Sequence, residues 1–363
     1  MINLDKNKIP ESVNTIHLIA VCGTGMGALA CALRDLGYKV TGSDNGIYPP
    51  MSTFLEKKGV EIFEGFDPKH LEYVPDLVVV GNAVRRDNPE AERARELDLN
   101  FCSMPQAINK FMAQGKKVIL ITGTHGKTTT SSIAAWVLKK ASYEPSFFIG
   151  GILNNFNSNY GLGKGEFIVI EGDEYDTAYF DKGPKFLHFD PFVTILTGVE
   201  FDHADIFQDI GHVTNAFERL VNNISEKNSL IAYDDNDITD RLVSKARCRV
   251  KRYGKDKDSD WRIGSINITP PWTVFEVFYK DKLYESFKTS LVGQHNLCNL
   301  LSVIAAAHIL KIPVDLLNQA VESFEGVKRR QEVRGIKRGI TVMDDFAHHP
   351  TAVLETTRAV KPF

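Results

Sequence analysis

The stretch Val118-Ile119-Leu120-Ile121-Thr122-Gly123-Thr124-His125-Gly126-Lys127-Thr128-Thr129-Thr130 decides the fold class of this chain. An apolar run suited to a buried strand leads into a glycine-bearing turn, and the pattern from Thr128 to Lys140 predicts a helix. Glycine, lysine and threonine at a strand–helix junction are the ingredients of a phosphate-binding loop. Glycines admit backbone N–H groups to the phosphates, and the helix N-terminus adds positive potential. Gly123, Thr124, His125, Gly126, Lys127, Thr128 and Thr129 are therefore expected to hold a nucleotide. Lys127 would reach the outer phosphates, and the Thr128 hydroxyl would ligate Mg²⁺. The spacing departs from the usual G-x-x-x-x-G-K-[ST] pattern, because Gly123 stands only three positions before Gly126 and position 121 is Ile. The competing reading is an ordinary glycine turn.

Working outward, the same rhythm recurs on both sides. His17 to Val21 predicts a strand, Ala28 to Leu36 a helix, Tyr38 to Thr41 a strand, and Asp76 to Val80 a buried strand ended by Gly81-Asn82. Phe167 to Ile170 and Phe192 to Leu196 are further buried-strand runs, Asn296 to Leu310 a buried helix, and Ile340 to Met343 a strand. Residues 256–284 alternate apolar and polar positions and predict an antiparallel hairpin or meander. The fold class is α/β: an N-terminal Rossmann-like parallel sheet, then a central P-loop ATPase-type domain, then a short last segment. The boundaries expected are 1–115, 116–336 and 337–363.

Four further runs carry chemistry. Ile170-Glu171-Gly172-Asp173-Glu174-Tyr175-Asp176 crowds carboxylates after a strand, where hard oxygen ligands suit Mg²⁺ or where the run is a solvated acidic turn. Glu200-Phe201-Asp202-His203-Ala204-Asp205 places a histidine among acids after another strand. Lys127, Glu171 and His203 then converge on one phosphate-and-metal site, as phosphoryl transfer requires. Gly293-Gln294-His295-Asn296-Leu297-Cys298-Asn299 offers amides for a base edge or a helix cap. Lys328-Arg329-Arg330 offers guanidinium contacts to phosphate or a solvated loop, and Met343 to Pro350 packs two acids and two histidines.

The N-terminal Cys22-Gly23-Thr24-Gly25-Met26-Gly27-Ala28 fits G-x-G-x-x-A, and Asp44 follows Gly23 by 21 residues, near the spacing of a ribose-binding acid. Alone it fits a nicotinamide or flavin dehydrogenase; a second nucleotide-type loop on the same chain argues against a redox role.

Composition bounds these readings. The chain has 363 residues, 43% hydrophobic and 25% charged, which is enough for two or three domains at about 150 residues each. The net charge of −3 gives no general basic surface for nucleic acid. Five scattered cysteines without a C-x-x-C pair read as reduced thiols in the cytoplasm. The N-terminus lacks an apolar signal-peptide core, and no apolar run is long enough to span a bilayer.

Taken in order, the motifs resemble the Mur ligase family, ATP-dependent enzymes that couple amino acids or peptides to UDP-N-acetylmuramic acid. T-G-T-x-G-K-T is that family's own version of the loop. Glu171 to Lys182 and Glu200 to Phe207 look most like the branch that attaches a ready-made tripeptide, L-alanyl-γ-D-glutamyl-meso-diaminopimelate. The L-alanine-adding branch typically has Ser in place of Tyr175 and Met in place of Ala204.

The resemblance implies specific roles. The UDP diphosphate would lie over Gly23, Thr24, Gly25, Met26 and Gly27, with Ser43 and Asp44 near the uridine and Asn82 beside them. His295, Asn296, Asn299, Arg330 and Asp345 would complete the ATP site. Lys127, Glu171 and His203 would be catalytic, with Glu171 and His203 placing a second Mg²⁺ between the γ-phosphate and the muramic carboxylate. That carboxylate becomes an acyl phosphate, which the peptide amine attacks. Several members carry a carbamylated lysine fifteen residues after the metal histidine; here that position is Glu218, whose carboxylate is expected to replace the carbamate.

The implied partners are UDP-N-acetylmuramate and a cell-wall tripeptide, with ATP and Mg²⁺ as cofactors, and no nucleic acid, membrane or obligate protein partner. The resemblance implies a third, Rossmann-like domain, of which only the start is expected here, with residues 351–363 either packed on the central domain or disordered. The chain is accordingly expected to bind UDP-N-acetylmuramate while turning over little. The rival classes are a dehydrogenase and a P-loop regulator without ligase activity.

Overall fold

The computed structural model describes residues 4–49, 51–202, 207–234 and 237–362. The chain divides into two compact units. One comprises residues 1–115, 160–162 and 175–189, and the other residues 116–159, 163–174 and 190–363.

The first unit is built on an all-parallel five-stranded sheet. Across it the strands run Glu61–Glu64, Lys39–Asp44, Thr15–Ile19, Leu77–Val80 and Phe101–Ser103. Chain order reverses between Thr15–Ile19 and Leu77–Val80, which opens a crevice at the carboxyl ends of those strands. Leu77-Val78-Val79-Val80 is buried throughout, as expected of a central parallel strand covered on both faces. Helix Thr24–Asp35 follows the glycine loop and buries Met26 through Leu33 without interruption.

In the second unit the sheet runs, from one edge inward, Lys282–Thr289, Trp272–Tyr279, Trp261–Thr269, Arg249–Gly254, Ser229–Tyr233, Pro191–Leu196, Lys117–Thr122, Phe167–Glu171 and Ser146–Leu153. The first three strands form the antiparallel meander; the rest pair in parallel. The predicted strand 118–122 and helix 128–140 are observed as Lys117–Thr122 and Lys127–Lys140. Helix Gln294–Ile309 buries every residue from Asn296 to Ala307, apolar almost all round as a helix in a core should be. It packs on Lys127–Lys140 and on the strands from Ser229 to Trp261. Fully buried Trp261 closes the meander end, stacked on Tyr279 at 4.5 Å.

Ile340–Asp344 does not begin a parallel sheet here. It pairs antiparallel with Glu332–Lys337 through the two-residue turn Arg338-Gly339, both at positive φ, as a hairpin of this length favours. Residues 350–360 form a helix whose Ala359 is buried; a Cβ added at Gly293 would come within 2.4 Å of the Ala359 Cβ.

Leu300 sits at zero exposure in the central helix. Leu300→Ala is expected to cost about 2–5 kcal/mol, read as a lower denaturant midpoint of the second unit's unfolding transition.

Candidate nucleotide-binding active site

Strand register places the chemistry. Ile121 is paired with Glu171, and Leu196 with Thr122, so three parallel strands deliver their carboxyl ends to one edge beside the glycine loop. Gly126 caps the following helix with φ +78°, a left-handed conformation, and offers no side chain to cap it. A Cβ there would also fall 2.5 Å from Asn299 Oδ1. Glycine is thus required twice over, and the first-turn N–H groups of Lys127–Lys140 lie under a bare backbone turn.

Lys127 Nζ donates to the Gly123 carbonyl at 2.8 Å and to Glu174 Oε2 at 2.8 Å. Burial works against this ammonium, but the carboxylates of Glu174, Asp173 and Glu171 outweigh it and hold its pKa above the ordinary lysine value. Thr128 Oγ1 donates to Glu171 Oε1 at 2.8 Å and accepts from Arg330 Nη2 at 3.2 Å; the Gly150 N–H donates to Glu171 Oε2 at 2.7 Å. Burial and the neighbouring Asp173 raise the Glu171 pKa despite those donors and Lys127. A hydroxyl, buried carboxylates, a lysine and an arginine at a helix N-terminus make a donor set that fits a magnesium-bound triphosphate: Thr128 and Glu171 supply oxygen ligands, Lys127 and Arg330 the countercharge.

Beside this cluster lies a cavity of about 280 Å³. His125, Gly126, Thr129, His295, Asn296, Asn299, Arg330 and Asp345 all line it, so predicted residues from four separate stretches meet in one place. Asn296 Nδ2 donates to the Val292 carbonyl and to Gln331 Oε1, and Asn299 Nδ2 to Asn296 Oδ1. Asp345 accepts from the N–H groups of Gln331 and Ala347. Gly123 and Thr124 frame the loop, with the Thr124 N–H donating to the Gly198 carbonyl at 3.0 Å.

His203 lies outside the described residues. Glu218, on helix Ile210–Asn223, pairs with Lys245 at 2.7 Å.

Other site residues escaped the sequence reading. Glu174, the direct partner of Lys127, was seen only as one acid among four. Tyr233 and Tyr253 wall the cavity with ring centroids 5.2 Å apart. Tyr233 ends the strand Ser229–Tyr233 and Tyr253 is the penultimate residue of Arg249–Gly254, and position near a strand's carboxyl end is the signal that marks them.

In the first unit, Gly23 is the N-cap of helix Thr24–Asp35, with no side-chain cap and nothing within 4 Å of an added Cβ. Thr24, Gly25, Met26 and Gly27 form the helix's first turn. Asp44 accepts from the Cys22 N–H at 2.8 Å and the Gly46 N–H at 3.0 Å, which fixes the loop's shape. Ser43 is fully buried, and its hydroxyl donates to Glu90. Asn82 is exposed just beyond Leu77–Val80.

The description "Mur ligase middle domain" matches residues 121–307, and "Mur ligase family, catalytic domain" matches residues 15–116. This chain belongs to the Mur ligase family. It is an α/β enzyme of the amide-forming ligase class. It is 42% identical, over 347 residues, to the UDP-N-acetylmuramate–L-alanyl-γ-D-glutamyl-meso-2,6-diaminoheptandioate ligase of Escherichia coli K12, covering 95% of this chain and 75% of that one. It is 35% identical over 360 residues to the UDP-N-acetylmuramate–L-alanine ligase of Clostridium acetobutylicum, covering 99% and 76%. Among solved structures, the murein peptide ligase of Psychrobacter arcticus 273-4 superposes with a TM-score of 0.82 at 37% identity, covering 96% and 76%.

In this Mur ligase, Gly126→Ala is expected to destabilise the second unit by about 1–2 kcal/mol, from left-handed strain alone, and to weaken ATP binding. Denaturant melts and nucleotide titration read the two effects. His295 is half-buried, and its burial depresses its pKa against the opposing pull of Glu355 and Asp345. The unfolded imidazole protonates near 6.5 while the folded one resists, so stability is complete above about pH 6.5 and falls as pH drops toward the folded value. His295→Gln should flatten that slope in melts between about pH 7 and 5.

Proposed function

We propose that this Mur ligase joins the tripeptide L-alanyl-γ-D-glutamyl-meso-diaminopimelate to UDP-N-acetylmuramate with conversion of ATP to ADP and phosphate. The observation that carries phosphoryl transfer is the set Lys127, Thr128, Glu171 and Arg330 at one helix N-terminus beside the cavity. The higher identity to the tripeptide ligase than to the alanine ligase supports the peptide substrate.

ATP is held by the loop from Gly123 to Thr129, with Lys127 exchanging Glu174 for phosphate oxygens and Arg330 adding a second cation. Asn296, Asn299 and His295 face the base and ribose end of the cavity, with Tyr233 and Tyr253 as its apolar wall. Thr128 and Glu171, with His203 as the resemblance implies, would hold Mg²⁺, which would supply countercharge to the phosphates. The first unit takes the UDP diphosphate at the helix N-terminus from Gly23 to Gly27, with Asp44 shaping the loop.

The transfer requires the muramic carboxylate in line with the γ-phosphorus and the leaving ADP. A carboxylate oxygen bonds to that phosphorus as ADP leaves. The peptide's amine nitrogen then bonds to the acyl carbon, inorganic phosphate leaves, and the nitrogen loses its proton. UDP-linked cell-wall precursors and five free cysteines support a cytoplasmic setting. Among the described residues no helix is long and apolar enough to cross a membrane.

ADP release by the native protein tests the reading. It should require UDP-N-acetylmuramate and be faster with the tripeptide than with L-alanine; preference for L-alanine would reverse the substrate assignment. Lys127→Ala should lower the rate by about a hundredfold or more while leaving UDP-N-acetylmuramate affinity unchanged.

A further inference from the structure

One carboxylate in the second unit gathers groups from separate parts of the chain. His125 Nε2, in the nucleotide loop, lies 3.3 Å from Glu200 Oε2. His349 Nδ1, at the N-cap of helix Pro350–Val360, lies 3.9 Å from the same oxygen. The imidazole centroids are 4.7 Å apart, and one ligand atom from each of the three residues falls within 4.8 Å of the other two. All three side chains are half-buried.

We propose that His125, Glu200 and His349 form a binding site for a late first-row divalent cation of the Zn²⁺ class, distinct from the oxygen set of Thr128 and Glu171. Two imidazoles and one carboxylate suit Zn²⁺, Co²⁺ and Ni²⁺, whereas Mg²⁺ and Ca²⁺ favour oxygen alone. Tetrahedral zinc with bonds of about 2.1 Å sets its ligand atoms about 3.4 Å apart. The His125–Glu200 separation meets that spacing; His349 Nδ1 stands 3.9 Å from Glu200 Oε2 and within 4.8 Å of the His125 ligand atom, so its side chain must move inward to join them. The Thr351 N–H, donating to His349 Nδ1 at 3.3 Å, must yield that nitrogen, while the Thr351 hydroxyl donates to Glu200 Oε2 at 2.9 Å. Three protein ligands leave a fourth position for water. A filled site would fasten the nucleotide loop to the start of the last helix.

This inference does not rest on the ligase reading, and its test uses the 363-residue chain without nucleotide, UDP-sugar or peptide. Titration with Co²⁺ should give a four-coordinate visible spectrum saturating at one equivalent and displaced by Zn²⁺. His349→Ala and Glu200→Gln should each weaken Co²⁺ binding by about tenfold or more. His348→Ala should not, since the exposed His348 contacts the Phe346 carbonyl instead. The wild-type spectrum decides even where a variant fails to fold. A six-coordinate spectrum, a thiolate-to-cobalt charge-transfer band, or no binding overturns the proposal, as does unchanged affinity in a folded His349→Ala protein.

Discussion

The site depends on a lysine ammonium taken largely out of water at the start of a helix. Lys127 is only 11% exposed and Glu174, its partner, 2%. A buried cation without partners is untenable, and a buried pair is stable only when every remaining donor and acceptor is also met. Here the Gly123 carbonyl takes a second lysine proton, and Glu171 is met by Thr128 and by the Gly150 N–H. The carboxylates keep the lysine charged, and the lysine in turn offsets part of their repulsion. The arrangement is poised for exchange: a phosphate group brings the charge that Glu174 now supplies.

That charge cluster exists because of strand order. Lys117–Thr122 lies between Pro191–Leu196 and Phe167–Glu171, all parallel, so the loops after the three strands emerge at one edge. A shift of one residue in the 117–122/167–171 register would turn Glu171 to the opposite face of the sheet and remove the Thr128 contact. The apolar runs 118–122 and 167–170 pin that register by burying both faces. Core packing and site geometry are therefore one constraint seen twice.

What the sequence made legible follows the same division. Local patterns identified the glycine loop, its strand and helix, the meander and the buried helix 294–309, because each is decided within a short window. Long apolar runs and glycine punctuation need no knowledge of distant residues. Pairings across sequence were the blind spot. Nothing near Glu174 distinguishes it from Asp173 or Asp176 as the partner of Lys127, a residue 47 positions away. Glu218 stood at the right count from a histidine, yet the adjacent helix Asp237–Ser244 leads to Lys245, which claims its carboxylate. Ile340 to Met343 read as the first strand of a parallel sheet, but its apolar alternation serves an antiparallel partner, Glu332–Lys337, equally well.

Ser43 shows how a strand end can mislead. Side chains alternate along a strand, so Ser43 and Asp44 face opposite sides of the first unit's sheet. Only Asp44 turns toward the glycine loop, where it takes the Cys22 N–H. Ser43 turns inward to Glu90, a carboxylate with zero exposure that also meets His70 Nδ1 at 2.6 Å and His17 Nε2 at 3.5 Å. Burial alone would raise the Glu90 pKa, yet His17, Ser43 and His70 together bring it below the ordinary glutamate value. A folded carboxylate of that kind stabilises the unit at neutral pH and loses its contribution as acid reaches its depressed pKa. Polar residues at the carboxyl end of a parallel strand thus have two destinations, the ligand crevice and the interior. Strand alternation separates them; residue type does not.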